Sequence, residues 1–294
     1  MSLYLENFGR MARLLVRYPS AIPHLIAGMS ATRTYVDDLV RKDWLADPKT
    51  SKITNGFELY LNPKDTYASA LIGITGNYEP EVTRIFRKIV KPGNTVLDVG
   101  ANLGWFSLLS SRIVGDTGRV VSFEPEPTTF SLLEKSVNKN GIHNVTLLRE
   151  VASDVDGTYS LDLPVGENWG TSSIKRHSTE SIVVPSSRVD TIIRRLMIDQ
   201  IDLAKIDVEG GEPEVLRGMS SLIEQNKVVR MIMEWNPSQW QANRDLWHTI
   251  LDRYRVYRIN SLSFNRLTRI IEDHWPESQA NLFFELDDIG RKGR

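Results

Sequence analysis

Three groups of residues in this chain of 294 have the types and spacing that chemistry needs. The first is "TVLDVGANLGWF", Thr95 to Phe106, where Asp98 stands inside a β-branched apolar run that passes into Gly100 and Gly104. That pattern describes a buried strand, a glycine turn and a helix starting near Leu103. A helix start presents unpaired N–H groups, which favour an anionic ligand group, and the two glycines would let backbone approach that ligand. The second is Glu124, twenty residues beyond Gly104 at the end of "VVSFEPEP". An acid in that place can accept hydrogen bonds from both hydroxyls of a ribose. The third is "KIDVEGGEPEV", with Asp207 and Glu209 two apart, hence on one side if the strand persists to its end.

The glycine spacing discriminates between ligands. A dinucleotide fingerprint reads G-x-G-x-x-G, the middle glycine giving room for a pyrophosphate. Here the pattern is G-x-x-x-G, with Asn102 at the middle position. Asp98 could take an ammonium while helix N–H groups take a carboxylate, which suits a ligand with an amino-acid end. The plainer alternative for Asp98 is a helix cap. Together with Glu124, the loop implies an amino-acid-bearing nucleoside.

These residues need elements to hold them. Apolar strand candidates run Thr95 to Val99, Arg119 to Phe123, Val145 to Leu148, Leu203 to Val208 and Val229 to Glu234, mostly separated by helical periodicity such as "TFSLLEKSVNKNG" and "EPEVLRGMSSLIEQ". Alternation of this kind argues for a parallel sheet covered on both faces. Arg255 to Asn260 and Asn281 to Leu286 have no convincing helix between them and could pair antiparallel at a sheet edge. Upstream, "GFELYLNPKD" (Gly56 to Asp65) alternates like a short strand, and Glu79 to Gly93 is a helix with Pro80 in its first turn.

The first 50 residues form a helical extension to a domain covering 51–294. Tyr4, Phe8, Met11, Leu15 and Tyr18 recur at spacings of three and four, an amphipathic stripe expected to pack on its own domain or on a second subunit, with attachment to a membrane surface as the less favoured alternative. With 36 basic and 37 acidic residues, net charge gives no reason to expect a nucleic-acid partner. No cysteine is present, which excludes disulfides and thiolate chemistry. No run of about 18 apolar residues appears, and the expected location is cytoplasmic.

Taken with "NYEPEV" (Asn77 to Val82), "VLDVGANLGWFSL" (Val96 to Leu108), "VVSFEPEPTTFSLLEKSVNKNG" (Val120 to Gly141), "NVTLLREVASDVDG" (Asn144 to Gly157) and "KIDVEGGEPEVLRG" (Lys205 to Gly218), the chain resembles the FkbM-type methyltransferase family. The resemblance implies a Rossmann-like class I methyltransferase: an α/β fold with a seven-stranded, mostly parallel sheet whose last strand is antiparallel, and helices on both faces. It also implies S-adenosylmethionine as cofactor and an oxygen acceptor on a small molecule or glycan. By motif, Asp98, Gly100, Asn102 and Gly104 would sit at the methionine end and Glu124 at the ribose. Ala152, at the end of the third strand, would lie beside the adenine, with Val151 where many class I enzymes carry aspartate. Tyr78 and Glu79 would close over the methionine end, or else staple and cap the helix beginning at Pro80.

Methyl transfer to a hydroxyl requires alignment of donor and acceptor and removal of a proton. Asp207 is the expected base or acceptor-positioning group. Glu209 would orient it, bind the acceptor, or be a carboxylate stabilised by the next helix start. Asp207 with Glu234 could hold Mg²⁺ through oxygen ligands, a less favoured alternative. Trp169, in the polar stretch Val165 to His177, is a substrate platform or a hairpin anchor, and His177 is an alternative base. Asn236-Pro237 reads as a turn and His143 as structural. Two other functions remain open on the residues: a nicotinamide-linked oxidoreductase, which shares the acidic ribose contact, and a non-catalytic nucleoside-binding protein of the same fold.

Overall fold

The structure is a computed structural model and describes residues 40–163, 181–240, 243–259, 267–270 and 276–287. The amphipathic stripe of residues 4–18, Trp169 and His177 lie outside the described residues. Residues 40–46 are helical, as the spacing before Pro48 suggests.

The chain continues through β1 (Ser51–Thr54), β2 (Phe57–Tyr60), α1 (Ala68–Thr75), α2 (Pro80–Ile89), β3 (Thr95–Val99), α3 (Trp105–Val114), β4 (Arg119–Phe123) and α4 (Pro127–Lys139). There follow β5 (Val145–Leu148), β6 (Val151–Ser153), β7 (Gly157–Asp162), β8 (Ser181–Arg188), α5 (Val189–Arg195) and β9 (Leu203–Ile206). The last part holds α6 (Glu212–Gly218), α7 (Ser220–Glu224), β10 (Arg230–Trp235), α8 (Pro237–Trp240), α9 (Arg244–Leu251), β11 (Tyr254–Ile259), β12 (Leu267–Arg269) and β13 (Ala280–Leu286).

The main sheet has the order β12-β11-β13-β10-β9-β3-β4-β5. β5, β4, β3, β9 and β10 pair in parallel, while β13 is antiparallel to both β10 and β11. The seven expected strands are thus present with an antiparallel last strand, and β12 adds an eighth at the edge. β13 is inserted between β10 and β11, inside the edge at which its pairing with β11 was expected. From β3 the chain moves outward to β4 on one side and later returns as β9 on the other. Order therefore reverses at β3, and the carboxyl ends of β3, β4 and β9 frame a crevice where open α/β sheets bind ligands.

Both faces of the sheet are buried. Alternate residues of β3 enter different clusters: Leu97 and Val99 pack with Trp235, Trp240 and Trp247, and Val96 packs with Phe86, Trp105 and Phe106. Val40 and Trp44 belong to the second cluster, so residues on both sides of position 50 share one core. Trp44 donates from Nε1 to the Pro63 carbonyl at 3.1 Å.

Several local features differ from the sequence expectation. The single strand expected over Gly56 to Asp65 is half of a hairpin, β1 with β2, turned by Asn55-Gly56, both at positive φ (51° and 81°). The helix expected over Glu212 to Gln225 breaks at Met219, which leaves helical geometry (φ −115°, ψ 18°) as its side chain enters the core. The fourth strand stops at Ile206, two residues short. Asn236-Pro237 opens a short helix, with Asn236 Oδ1 accepting from Ser238 Oγ at 2.9 Å. A separate three-stranded sheet, β6-β8-β7, which the sequence reading did not expect, is built from strands before and after the polar stretch Val165 to His177, itself outside the described residues. Among the described residues no helix is long and apolar enough to cross a membrane.

α6 packs tightly on β6. A Cβ added at Gly218 would lie 1.9 Å from the Ser153 carbonyl oxygen, so the backbones touch only because the residue is glycine. Gly218→Ala is expected to force a backbone shift costing about 1–3 kcal/mol and to lower the melting temperature by several degrees in calorimetry.

Candidate active site

The crevice opens into a cavity of about 980 Å³ including its mouth. Residues 99–103 form its floor, with Tyr78, Phe123, Glu124, Glu150, Ala152, Leu161, Lys205, Asp207 and Glu209 among its walls, while Gly104 does not line it. The segments singled out in the sequence therefore meet at one cavity, although the surroundings of individual residues differ in part from those expected.

Gly100 (φ +79°) and Gly104 (φ +91°) both stand in left-handed backbone, which favours glycine, and both lie close to protein neighbours. A Cβ on Gly100 would stand 1.9 Å from the Asp207 carbonyl oxygen, and one on Gly104 would stand 2.4 Å from Leu133 Cδ1. Within the protein, these are the nearest atoms that a side chain at either position would meet. The Asp207 N–H also donates to the Val99 carbonyl at 3.0 Å, so the end of β3 and the start of the acidic loop are locked together. Asn102 adopts φ +51°, and α3 begins at Trp105, two residues later than expected.

Glu124 is held in place by backbone. Its Oε2 accepts from the Asn102 N–H at 2.9 Å and its Oε1 from the Glu126 N–H at 3.0 Å. Burial pushes its carboxyl up to about 7 in spite of those two donors. Each oxygen keeps a lone pair for a further donor.

Asp98 is buried and does not line the cavity. Its Oδ2 accepts from Ser107 Oγ at 2.6 Å, and Ser107 Oγ in turn meets Ser122 Oγ at 2.8 Å. Burial raises its carboxyl above the usual range, with Lys205 and Ser107 opposing. The helix-cap alternative is compatible with this, because the Asp98 carboxyl also accepts from the Ser107 backbone N–H in the first turn of α3.

Tyr78 lines the cavity with its ring against Phe106, centroids 6.3 Å apart. Glu79 is the N-cap residue of α2, yet its side chain makes no cap hydrogen bond. Its backbone is left-handed (φ 38°), and its Oε2 is buried without a hydrogen-bond partner, 3.8 Å from Lys205 Nζ. Burial raises its carboxyl to about 7, with Lys205 pulling it back down. The cap alternative for Glu79 is thus replaced by an ion pair.

Asp207 and Glu209 both line the cavity but lie beyond the end of β9, so strand alternation is not what brings them together. Glu209 takes φ +52°. The loop is held by a residue the sequence reading passed over: Glu212 Oε1 accepts from the Val208 and Gly210 N–H groups at 3.2 and 3.3 Å. Burial lifts the Glu212 carboxyl to about 7. Glu234, on β10, accepts from Gln279 Nε2 at 2.6 Å and does not line the cavity. Burial, then Asp207 and Glu209, raise its carboxyl to about 8. Among the described residues no group of three or more His, Asp or Glu side chains is arranged to hold a metal ion. Ala152 lines the cavity from β6, not from the end of the third strand, because β5 ends at Leu148 and the chain changes sheets. His143 is exposed.

The largest omission in the sequence reading is Lys205. Its ammonium lies 2.7 Å from Asp207 Oδ2 and 4.7 Å from the centroid of the Phe106 ring. Burial pulls its ammonium down, but Asp207, Glu79 and Asp98 outweigh burial and hold it charged above the usual lysine range. A lysine in the otherwise apolar run "LAKI" was the available signal.

The chain is similar to the hexuronic acid methyltransferase AglP of Haloferax volcanii, with 31% identity over 149 residues, covering 50% of this chain and 58% of that protein. It is also similar to Methyltransferase 1 of Beauveria bassiana, with 26% identity over 189 residues, covering 57% of this chain and 74% of that protein. Among solved structures, a SAM-dependent O-methyltransferase from Thermotoga maritima aligns over 74% of this chain and 70% of its own, at 16% identity and a TM-score of 0.40. The family model described as the methyltransferase FkbM domain matches residues 98–259, more than half of the chain and most of the sheet and cleft just described, and the chain belongs to that family.

Proposed function

We propose that this protein is an S-adenosylmethionine-dependent methyltransferase acting on a hydroxyl of a small molecule or sugar. The observation that carries the reading is the convergence of residues 99–103, Glu124 and Asp207 on one cavity. The residues fit the cofactor. Glu124, fixed by two backbone donors, retains lone pairs for the ribose hydroxyls. Phe123, Ala152 and Leu161 offer an apolar wall for the base. The start of α3 presents N–H groups for the carboxylate, and Glu79 Oε2, which accepts no hydrogen bond within the protein, suits the ammonium. Asp98, behind the wall, acts through Ser107 and the field at Lys205.

When bound, the cofactor supplies a methyl group on a positively charged sulfur for in-line displacement. The chain's own part is to hold the acceptor hydroxyl in line, exclude water and receive the proton. Asp207 is the proposed acceptor-side group, through a hydrogen bond that orients the hydroxyl and takes its proton. Glu209, on the same wall, binds or orients the acceptor. Glu234 supports that side from behind. A sugar acceptor draws support from the hexuronic acid methyltransferase relative.

Calorimetric titration is expected to show S-adenosylmethionine binding and no NAD binding, with Glu124→Ala weakening the former about tenfold or more. Binding of NAD alone, or an affinity indifferent to Glu124→Ala, contradicts the reading. Asp207→Asn is expected to abolish transfer of a labelled methyl group to a panel of sugars and alcohols while leaving cofactor affinity within about threefold.

The ionised form of Glu124 serves the ribose, so cofactor affinity should strengthen as pH rises through about 7. The unliganded protein follows the opposite sign. Burial favours protonated Glu124, so its contribution to stability is complete below the ordinary glutamate range near 4.5 and is lost as pH rises through about 7. The melting temperature of wild type should therefore fall relative to that of Glu124→Gln between pH 5 and pH 8, as read by calorimetry at a series of pH values.

A further inference from the structure

Beyond the field it shares with Asp98, Lys205 has no part in the chemistry proposed above, yet it lines the cleft with only 3% of its surface exposed. A lysine so placed requires partners, because an ammonium stripped of water without them would discharge. Three carboxylates from separate segments supply them. Asp207 Oδ2, in the loop after β9, is 2.7 Å away and Glu79 Oε2, before α2, is 3.8 Å away. Asp98 is its direct neighbour in the β3–β9 register. From α3 the Phe106 ring faces the ammonium at 4.7 Å. The arrangement also accounts for the geometry of Glu79, a non-glycine residue in left-handed backbone whose side chain caps nothing. Such backbone persists where its surroundings over-determine it, and it gathers at ligand sites.

We propose that Lys205 is a positioning residue, whose ammonium ties Asp207 and Glu79 into one ion-paired unit and so fixes the acceptor-side acid and the Tyr78–Glu79 segment relative to each other at the cleft. The pair with Lys205 engages Asp207 Oδ2, and Oδ1 is the oxygen assigned to the acceptor. The ligands that this unit serves rest on the function proposed above; the unit itself does not.

Lys205→Met and Lys205→Arg are compared with wild type by carbon-detected NMR titration of Glu79 without ligand, and by calorimetric titration with S-adenosylmethionine. Wild-type Glu79 is expected to titrate near 7. Lys205→Met should move that midpoint up by about one pH unit or more and weaken cofactor binding about tenfold. Lys205→Arg keeps the charge and should restore most of both. An unmoved Glu79 midpoint in folded Lys205→Met, or a cofactor affinity within about twofold of wild type, overturns the proposal. If Lys205→Met does not fold, the Lys205 Nζ resonance of wild type decides. It should follow the Glu79 titration and lose that inflection in Glu79→Gln; a resonance flat from about pH 5.5 to 8.5 overturns the proposal. Wild type that binds no S-adenosylmethionine overturns the proposed function, while the ligand-free titration still tests the unit.

Discussion

The site depends on one close backbone contact, between Gly100 at the exit of β3 and the carbonyl of Asp207 at the exit of β9. The two chains come so near that a single added carbon at position 100 would sit 1.9 Å from that oxygen. The Asp207 N–H bonds back to Val99, and Gly100 and Ala101 both donate to the Phe123 carbonyl at the end of β4. Three strand exits are thus fastened to one another by main-chain groups before any side chain is considered. Parallel pairing on both sides of β3 makes this possible, and the reversal of strand order there leaves the crevice that the loops surround.

The side chains around this frame are arranged at a cost to the unliganded protein. Burial disfavours the charged forms of Glu79, Glu124 and Glu212, each of which is pushed up to about 7. A chain selected for stability alone would place apolar groups there, since buried ion pairs are often matched or exceeded by well-packed hydrophobic residues. Two devices contain the cost. Backbone N–H groups hold Glu124 and Glu212, and Lys205 neutralises the centre of the cluster. Polar groups concentrated where stability is least served are characteristic of a functional site.

Much of this was legible from short-range pattern. β3, β4 and the carboxylate at Glu124 follow from apolar runs and punctuation, because strands buried on both faces leave an unmistakable apolar signature. Asp207 and Glu209 were found as site residues by proximity in sequence, although the strand that was to align them ends at Ile206. Lys205 was not found, since part of its meaning lies in Glu79 and Asp98, residues far away along the chain that only the fold brings to it. The reasons for Gly100 and Gly104 were hidden in the same way: local pattern shows that a glycine is required, whereas only tertiary contact shows what it avoids. The β6-β8-β7 sheet escaped because exposed polar strands such as Gly157–Asp162 alternate weakly. The Asn55-Gly56 turn is a strong hairpin signal and marks a partner strand, Ser51–Thr54, ahead of the one expected from Gly56.

The central claim is that one cofactor lies along the exits of β3 and β4 with Glu124 at its ribose and Asp207 beyond its reactive end. A crystal structure of the protein with S-adenosylhomocysteine tests this most directly. The account predicts both ribose hydroxyls within hydrogen-bonding distance of the Glu124 carboxylate, the base against Ala152 and Leu161, and the sulfur turned toward Asp207. A nucleoside bound away from Glu124, or a sulfur turned away from Asp207, would contradict it.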